Sequence, residues 1–230
     1  MQPSDCTITD SATSTSLGSA RTTLKRLPAR GHHDPASVHG VLDEALVGHL
    51  AFVHDGTPFA LPTIHARVGD VLYVHGSVAS RMLRSATSQT VCFTATIVDG
   101  LVVARSAFHH SLNYRSAVVL GVPRRVEDPD EQRAALDAIV DHVLPGRPAE
   151  VRAHHDTEVR TTRVLALAID EASAKVRTGD PIDEPDDLAG DGWAGVVPVH
   201  LGYGTPTPAA DLRAELHASV PASVSAMAAP

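Results

Sequence analysis

The spacing of apolar residues divides this chain into short segments of changing period. Asp34 is a good N-cap and Pro35 stands where the first helical turn tolerates proline. Val38, Val41, Leu42, Ala45 and Leu46 share one face, so a helix is predicted to start here. The texture then changes. Residues 49–54 form an apolar run closed by Asp55-Gly56, a hairpin turn signal. Residues 59–68 and 71–75 read as two further strands about Gly69-Asp70, and residues 77–86 as a short helix. Along residues 91–98, Val91, Phe93, Ala95 and Ile97 alternate onto one face. Asp99-Gly100 then reads as a second hairpin turn, followed by strands over 101–108 and 117–121. The period turns helical from Asp128 to Val143, with Asp128 as cap, Pro129 as start, and Leu136, Ile139, Val140 and Val143 as the stripe. Residues 164–169 and 172–176 are strand-like, and the acidic, Pro- and Gly-punctuated stretch 178–192 reads as an exposed loop. Short strands with tight turns predict a mainly β fold, an antiparallel sheet closed into a barrel with peripheral helices. A doubly wound parallel fold needs a helix between most strands, and this pattern lacks them.

Composition narrows the picture. Of 230 residues, 43% are apolar and only 3% aromatic, so Val, Ala and Leu must fill a real core. The Ser/Thr-rich residues 1–20 read as a tail, 25–200 as one folded domain, and the Ala/Pro-rich 204–230 as a second tail in which a short helix over 209–217 is the alternative. With 19 Lys+Arg against 27 Asp+Glu the net charge is -8, the wrong balance for gripping a nucleic acid backbone. Two cysteines make no disulfide framework. No apolar run is long enough for a bilayer and the N-terminus lacks a signal-peptide layout, so a soluble, cytoplasmic protein without a membrane partner is expected.

Two segments concentrate candidate chemistry. In Tyr73-Val74-His75-Gly76-Ser77-Val78-Ala79-Ser80-Arg81 an apolar strand runs through a glycine into a helix start. Backbone amides there, the hydroxyls of Ser77 and Ser80, and the guanidinium groups of Arg81 and Arg84 suit an anion. Equally, Ser77 is a plain helix cap and Arg81 a solvated surface residue. The second segment, Arg105 to Ser116, carries His109, His110, Asn113, Tyr114 and Arg115 between two apolar strands. It is either a long polar loop or the wall of a pocket, and its two arginines need a compensating anion or carboxylate. The fourteen histidines include the adjacent pairs His32-His33, His109-His110 and His154-His155. Neighbours on a strand point to opposite faces, so such pairs do not serve one metal ion. A haem ligand from His75, His109 or His110 is the remaining use of histidine. There is no nucleophile elbow, Walker loop or Gly-x-Gly-x-x-Gly fingerprint.

Taken together, Arg30-Gly31-His32, Pro58-Phe59-Ala60-Leu61-Pro62-Thr63, the segment Tyr73–Arg81, the run Ala104–Ser116, Ala174-Lys175-Val176-Arg177-Thr178-Gly179 and Trp193-Ala194-Gly195 resemble one superfamily. It is the pyridoxamine 5'-phosphate oxidase-like, FMN-binding split β-barrel superfamily, with the flavin-nucleotide-binding proteins as nearest branch and nitroimidazole-resistance reductase-like proteins as relatives. The resemblance implies a homodimer of split barrels with FMN in two clefts at the subunit interface. Ser77, Ser80 and Arg81 would meet the phosphate. Met82 stands at the usual lysine position, and Arg84 or Arg115 would replace its charge. Pro62, Thr63 and Ile64 would pass beside the isoalloxazine ring, and Arg105, Asn113, Tyr114, Arg115 and Ser116 would reach the flavin or its phosphate. His75 matches by position the histidine near the flavin of the nitroimidazole-resistance relatives, and Trp193 would lie near the pocket. The implied activity is an FMN-dependent oxidoreductase acting on a small organic substrate. The alternatives are a flavin carrier or sensor without turnover, and a haem- or deazaflavin-binding protein of the same fold. Pyridoxamine phosphate oxidation is not expected, because its full substrate-binding set is not recognisable here.

Overall fold

A computed structural model of the chain describes residues 16–217 and 219–228. Eleven strands and six α-helices follow in the order β1 (Gly31–His32), α1 (Pro35–Glu44), β2 (Gly48–His54), β3 (Thr57–Thr63), β4 (His65–Val68), β5 (Val71–Ser77), α2 (Arg81–Ala86), β6 (Val91–Val103), β7 (Ser111–Gly121), β8 (Arg124–Arg125), α3 (Pro129–Val143), α4 (Asp156–Thr161), β9 (Thr162–Ala168), β10 (Glu171–Arg177), α5 (Pro185–Leu188), β11 (Gly195–Pro198) and α6 (Ala222–Met227). Every ladder is antiparallel. The large sheet runs β1-β10-β7-β6-β2-β3, with β11 on β6, and the small sheet runs β4-β5-β9-β8. The two sheets face each other as a split barrel and do not close into one continuous ring.

Burial follows the period-2 pattern. Leu50, Phe93, Val119 and Ala174 of the large sheet meet Leu72, Val74, Leu165 and Leu167 of the small sheet, with α1 and α2 plugging the ends through Val38, Leu42 and Leu83. The small sheet's other face carries Tyr73, Val164 and Ala166, which pack under Leu136 and Ile139 of α3. Both long helices start as their sequences prescribe. The Ser37 amide donates to Asp34 at 2.8 Å, and the Asp130 and Glu131 amides donate to Asp128, both at 3.3 Å.

Three expectations about the elements are corrected. Asp99-Gly100 is no hairpin turn: β6 runs unbroken through it, with a bulge between Val98 and Gly100. A Cβ on Gly100 would lie 2.9 Å from Val196, so glycine is there to admit β11 against β6. By contrast Asp55 and Gly56, at φ 49° and 74°, do make the predicted tight turn. The run 59–68 is two strands, because the chain changes sheet at Ile64. The helix read from Ser77 begins at Arg81, Ser77 being the last residue of β5. At the chain ends, Leu17 pairs with His33 and Ala172, and the Ser19 hydroxyl meets Glu171, so residues 17–22 are tied to the body; the expected tail's residues 1–15 lie outside the described residues. Over 209–217 there is only a 3-10 turn at Ala214–Leu216, and α6 is held by Ser223 on Glu150.

One buried histidine joins the layers. His65 opens β4 and is wholly buried. Its Nε2–H donates to the Leu42 carbonyl of α1 at 2.9 Å, and its ring lies 4.9 Å from Phe93 of β6 and 4.9 Å from His142 of α3. Nδ1 is buried without a partner. Burial foremost, and the His142 charge after it, push the His65 pKa down to about 4. Unfolded, it titrates near 6.5. The unfolded chain therefore binds the proton between these values, and stability must rise with pH across that window. The contribution is complete above pH ~6.5 and lost by pH ~4, about 3 kcal/mol in all. We expect chemical denaturation at pH 7, 6, 5 and 4 to show this slope, and His65→Gln to flatten it while lowering stability at pH 7. An unchanged slope in the variant would assign the pH dependence to other groups.

Candidate functional site

The link from β5 to α2 is a tight, polar turn. The Ser80 amide donates to the Ser77 carbonyl at 2.8 Å, and Val78 donates to Thr161 at 3.1 Å. The Ser77 hydroxyl accepts from Ala79 at 3.2 Å, and the Ser80 hydroxyl caps α2 by accepting from Leu83 at 3.5 Å. Both hydroxyl hydrogens stay available. The Arg81 guanidinium lies 4.7 Å over the Phe59 ring of β3, and that ring stacks on Phe52 at 5.6 Å. Arg163 stands opposite Gly76 in the β5–β9 ladder and so on the same face. A Cβ on Gly76 would touch Leu83 of α2 at 3.1 Å, which places Arg163 beside that helix. Its Nε is buried with no partner. Among the described residues no carboxylate lies within 4 Å of Arg81, Arg84 or Arg163. Most other arginines have one. Met82 is 9% exposed and packs into the core, so a lysine at that position would have to bury its charge.

Next to this turn runs an open strand edge. Among the described residues, strand β3 is the last of the large sheet and pairs only with β2. Pro58 and Pro62 cannot donate to a ladder and therefore face the open side. Pro62 is exposed, and the Thr63 hydroxyl donates to the Ile64 carbonyl at 3.0 Å.

Residues His75 and Ile64 belong elsewhere. Because His75 precedes Gly76 on β5, it faces the opposite side of the small sheet, into a cavity of about 380 Å³ beneath α3. Ile139, Val140, Val143 and Leu144 make its apolar wall, and His154 and Arg147 stand at its polar end. His154 Nε2 lies 3.1 Å from Asp137. His75 Nδ1 is buried and unpartnered. Burial, and secondarily the charge of His154, lower the His75 pKa, so its ring is neutral at pH 7. A neutral imidazole keeps one ring nitrogen as an acceptor for a proton donor or a metal ion.

The segment 105–116 is engaged within the chain. Arg105 pairs with Asp183 at 2.9 Å. Arg115 on β7 pairs with Asp99 at 2.7 Å and with Glu44 of α1, which raises its pKa and lowers that of Glu44. The compensation its charge requires therefore comes from carboxylates of the same chain. Asn113 donates to the Gly179 carbonyl at 3.2 Å and accepts from Arg177; Tyr114 lies 5.9 Å from Lys175 Nζ, and Ser116 donates to the Lys175 carbonyl at 3.5 Å. Two strands, β6 and β2, separate this group from β3. Within one protomer the structure thus gathers Ser77, Ser80 and Arg81 in one turn, joined to β3 through Arg81 on Phe59, places His75 and Ile64 in the cavity, and keeps Arg105, Asn113, Tyr114, Arg115 and Ser116 apart from both. Trp193 is 65% exposed just before β11. Among the described residues no three His, Cys, Asp or Glu side chains gather for a metal ion. Arg163 and His154 escaped the sequence reading; the adjacent His154-His155 pair was the only trace of the latter.

Comparison with known proteins gives the context for this geometry. Residues 34–176 match the profile of the pyridoxamine 5'-phosphate oxidase family. The flavocytochrome Anf3 from Azotobacter vinelandii is 35% identical with a TM-score of 0.85, over 91% of this chain and 97% of that one. The FAD and heme binding protein from Mycobacterium smegmatis is 40% identical with a TM-score of 0.81, over 86% of this chain and 97% of that one. A protein described as a 5-nitroimidazole antibiotic resistance protein from Bacteroides thetaiotaomicron shares the fold at 23% identity and a TM-score of 0.54, over 64% and 86% of the two chains. No curated protein matches the chain. For the site itself, an NMR titration of the histidine side chains should place His75 below the ordinary value near 6.5. His154→Ala should move it upward, since a neighbouring positive charge is removed. A His75 midpoint at or above the ordinary value would contradict its burial in the cavity.

Proposed function

The chain belongs to the pyridoxamine 5'-phosphate oxidase-like family, and from that premise we propose that it is a flavin-binding redox protein whose flavin lies at a homodimer interface. The observation that carries this reading is the β5–α2 turn, where two hydroxyls and guanidinium groups without carboxylate partners wait beside the open β3 edge. Arg81 and Ser80 bind the phosphate, with Arg163 and Arg84 supplying the charge that Met82 does not. From Phe59, under Arg81, to Thr63 is four residues, roughly 13 Å of strand. That reach suits a ribityl phosphate chain ending at a ring beside Pro62 and Thr63. The phosphate next to the ribityl chain is common to FMN and FAD, so this turn accepts either; FMN is the smaller ligand that the sequence resemblance implies, and FAD is named for the M. smegmatis relative. Bound flavin supplies reversible one- and two-electron transfer to a small organic substrate.

An exposed apolar row supports the homodimer. Leu101 of β6 is in register with Leu112 of β7 on one side and Val197 of β11 on the other. All three are 40–45% exposed, which is costly for neighbouring residues on a solvated sheet and is relieved by a second copy. The partner's Arg105–Ser116 segment then provides the opposite wall of the flavin cleft.

A second group is favoured by a specific observation. The cavity beneath α3 is apolar, and His75 offers it a neutral imidazole with an unsatisfied ring nitrogen. There His75 would hold a haem iron and the α3 wall would exclude water, while Arg147 at the polar end is already paired with Glu150 at 3.2 Å. This keeps haem beside flavin instead of in its place.

Absorbance spectra of the full chain titrated with FMN, FAD and hemin test the reading. Flavin is expected to stay bound through gel filtration, and Arg81→Ala to weaken it by about tenfold or more, the loss of one charge-assisted contact. Hemin should give a Soret band that His75→Ala abolishes while leaving flavin bound. Light scattering should report a dimer, and Leu101→Glu a monomer that no longer holds flavin. A wild type that retains no flavin, or an Arg81 variant that binds it equally well, rejects the flavin site; absence of a Soret band rejects the haem.

A further inference from the structure

A third opening lies at the far edge of the large sheet, where two of the quoted motifs meet. Arg30, at the end of the turn Pro28–Arg30, and Arg177, the last residue of β10, line a cavity of about 540 Å³ together with Arg26, His109 and Ser111. Arg177 is only 5% exposed. Its terminal nitrogens donate to neutral acceptors: the Asn113 side chain, the Gly179 carbonyl at 2.7 Å and the Asp180 carbonyl at 3.0 Å. Its Nε is buried with no partner. Two carboxylates, Asp183 and Glu184, also line the cavity, and each faces another partner. Asp183 is held by Arg105 at 2.9 Å and Glu184 lies 3.6 Å from His109. No carboxylate comes within 4 Å of Arg26, Arg30 or Arg177 among the described residues. Burial first, and then the charge of Arg30, lower the Arg177 pKa, with the charge of Asp180 opposing them.

The rim adds a second character. Phe108 is 89% exposed, its ring edge-on to His109 at 5.1 Å, and Ile182 is 71% exposed. An aromatic side chain so fully in water, beside a cavity with unmatched positive charge, suits a ligand that is anionic at one end and flat and aromatic at the other.

We propose that this cavity is a binding site for a nucleoside phosphate, with the phosphate between Arg30 and Arg177 and the base on Phe108. Within one protomer it lies apart from the β5–α2 turn, since β10 is four strand spacings from β3, roughly 19 Å along the sheet; its Phe108–Ser111 rim belongs to the segment proposed above as the wall of the partner's flavin cleft, and to that extent it rests on that reading. Two sources share this chemistry. One is the adenylate half of a flavin dinucleotide whose ring lies in the partner's cleft; the other is a free nicotinamide nucleotide serving as electron donor.

Calorimetry on the full chain with ADP as probe tests the site. Binding is expected, weakened by about tenfold or more in the double variant Arg26→Glu, Arg30→Glu and by a smaller factor in Phe108→Ser. These positions are at the surface or partly so, and thermal melts will confirm folding. Arg81→Ala should leave ADP affinity unchanged, so a lost flavin site does not mimic a lost nucleotide site. If the adenylate half of a dinucleotide is the occupant, FAD binds more tightly than FMN and the charge reversal erases the difference. If a free nucleotide is the occupant, FAD and FMN bind alike and NADPH displaces ADP. No ADP binding at millimolar concentration, or equal binding by wild type and all three of these altered positions, overturns the proposal.

Discussion

The contact of His65 with Phe93 fixes where everything else can sit. Phe93 is fully buried on β6, and its ring fills the space over Gly48 of β2, where a Cβ would come within 2.0 Å. His65 reaches the same ring from the other sheet and holds α1 by its hydrogen bond to Leu42. His142 extends the stack to α3 and donates to Ala45 at 3.0 Å. With four phenylalanines in the whole chain, there is little other bulk to lock the two sheets together. Both candidate sites hang from this joint. Thr63 is in register with Gly48, so the open β3 edge is placed by the packing of Phe93. Ile64 immediately precedes His65, and α3, the cavity's roof, is held through His142. The joint is also the fold's weak point in acid, because protonating His65 puts a charge where nothing compensates it.

Charge compensation sorts the arginines into structural and available groups. Arg67, Arg115, Arg124, Arg133 and Arg152 each meet a carboxylate and fasten one element to another. Such partly exposed pairs add little stability each, but they saturate the guanidinium and leave it nothing for a ligand. Of the seven guanidinium groups left over among the described residues, six fall in two groups, Arg81, Arg84 and Arg163 about one turn and Arg26, Arg30 and Arg177 about one cavity; Arg160 of α4 stands apart from both. In a chain of net charge -8 such groups of arginines without carboxylate partners are unexpected by chance.

Much of the fold was legible, and the failures have particular causes. The caps at Asp34 and Asp128 act within three residues of themselves, so local sequence suffices to find them. Asp55-Gly56 and Asp99-Gly100 are the same dipeptide with different outcomes, because the second glycine serves the approach of β11 from nearly a hundred residues away. The turn with Ser80 and Arg81 was visible in sequence; the Phe59 ring under Arg81 and the buried Nε of Arg163 were not, since both arrive through long-range pairing. Arg105 and Arg115 were read correctly as needing compensation, but Asp183 and Glu44 are remote in sequence, so the identity of the compensating groups required the fold. The α3 stripe divides in a way no periodicity reveals: Leu136 and Ile139 belong to the core and also border the cavity, whereas Val140 and Val143 face the cavity alone.

Strand β5 is the shared partition of the two candidate sites. His75 points under α3 and Gly76 points toward α2, and they are adjacent residues. Each side of the partition has its own reason for its residue: a neutral imidazole is tolerated in an apolar slot, and only glycine leaves room for Leu83 at 3.1 Å. A side chain at position 76 would push α2, and with it Ser80 and Arg81, away from β3 without touching the cavity. A change at His75 would alter the cavity without moving the turn. The two sites are therefore separable by substitution although only the thickness of one sheet divides them, and that thinness is what a protein needs if groups held on its two faces are to exchange electrons.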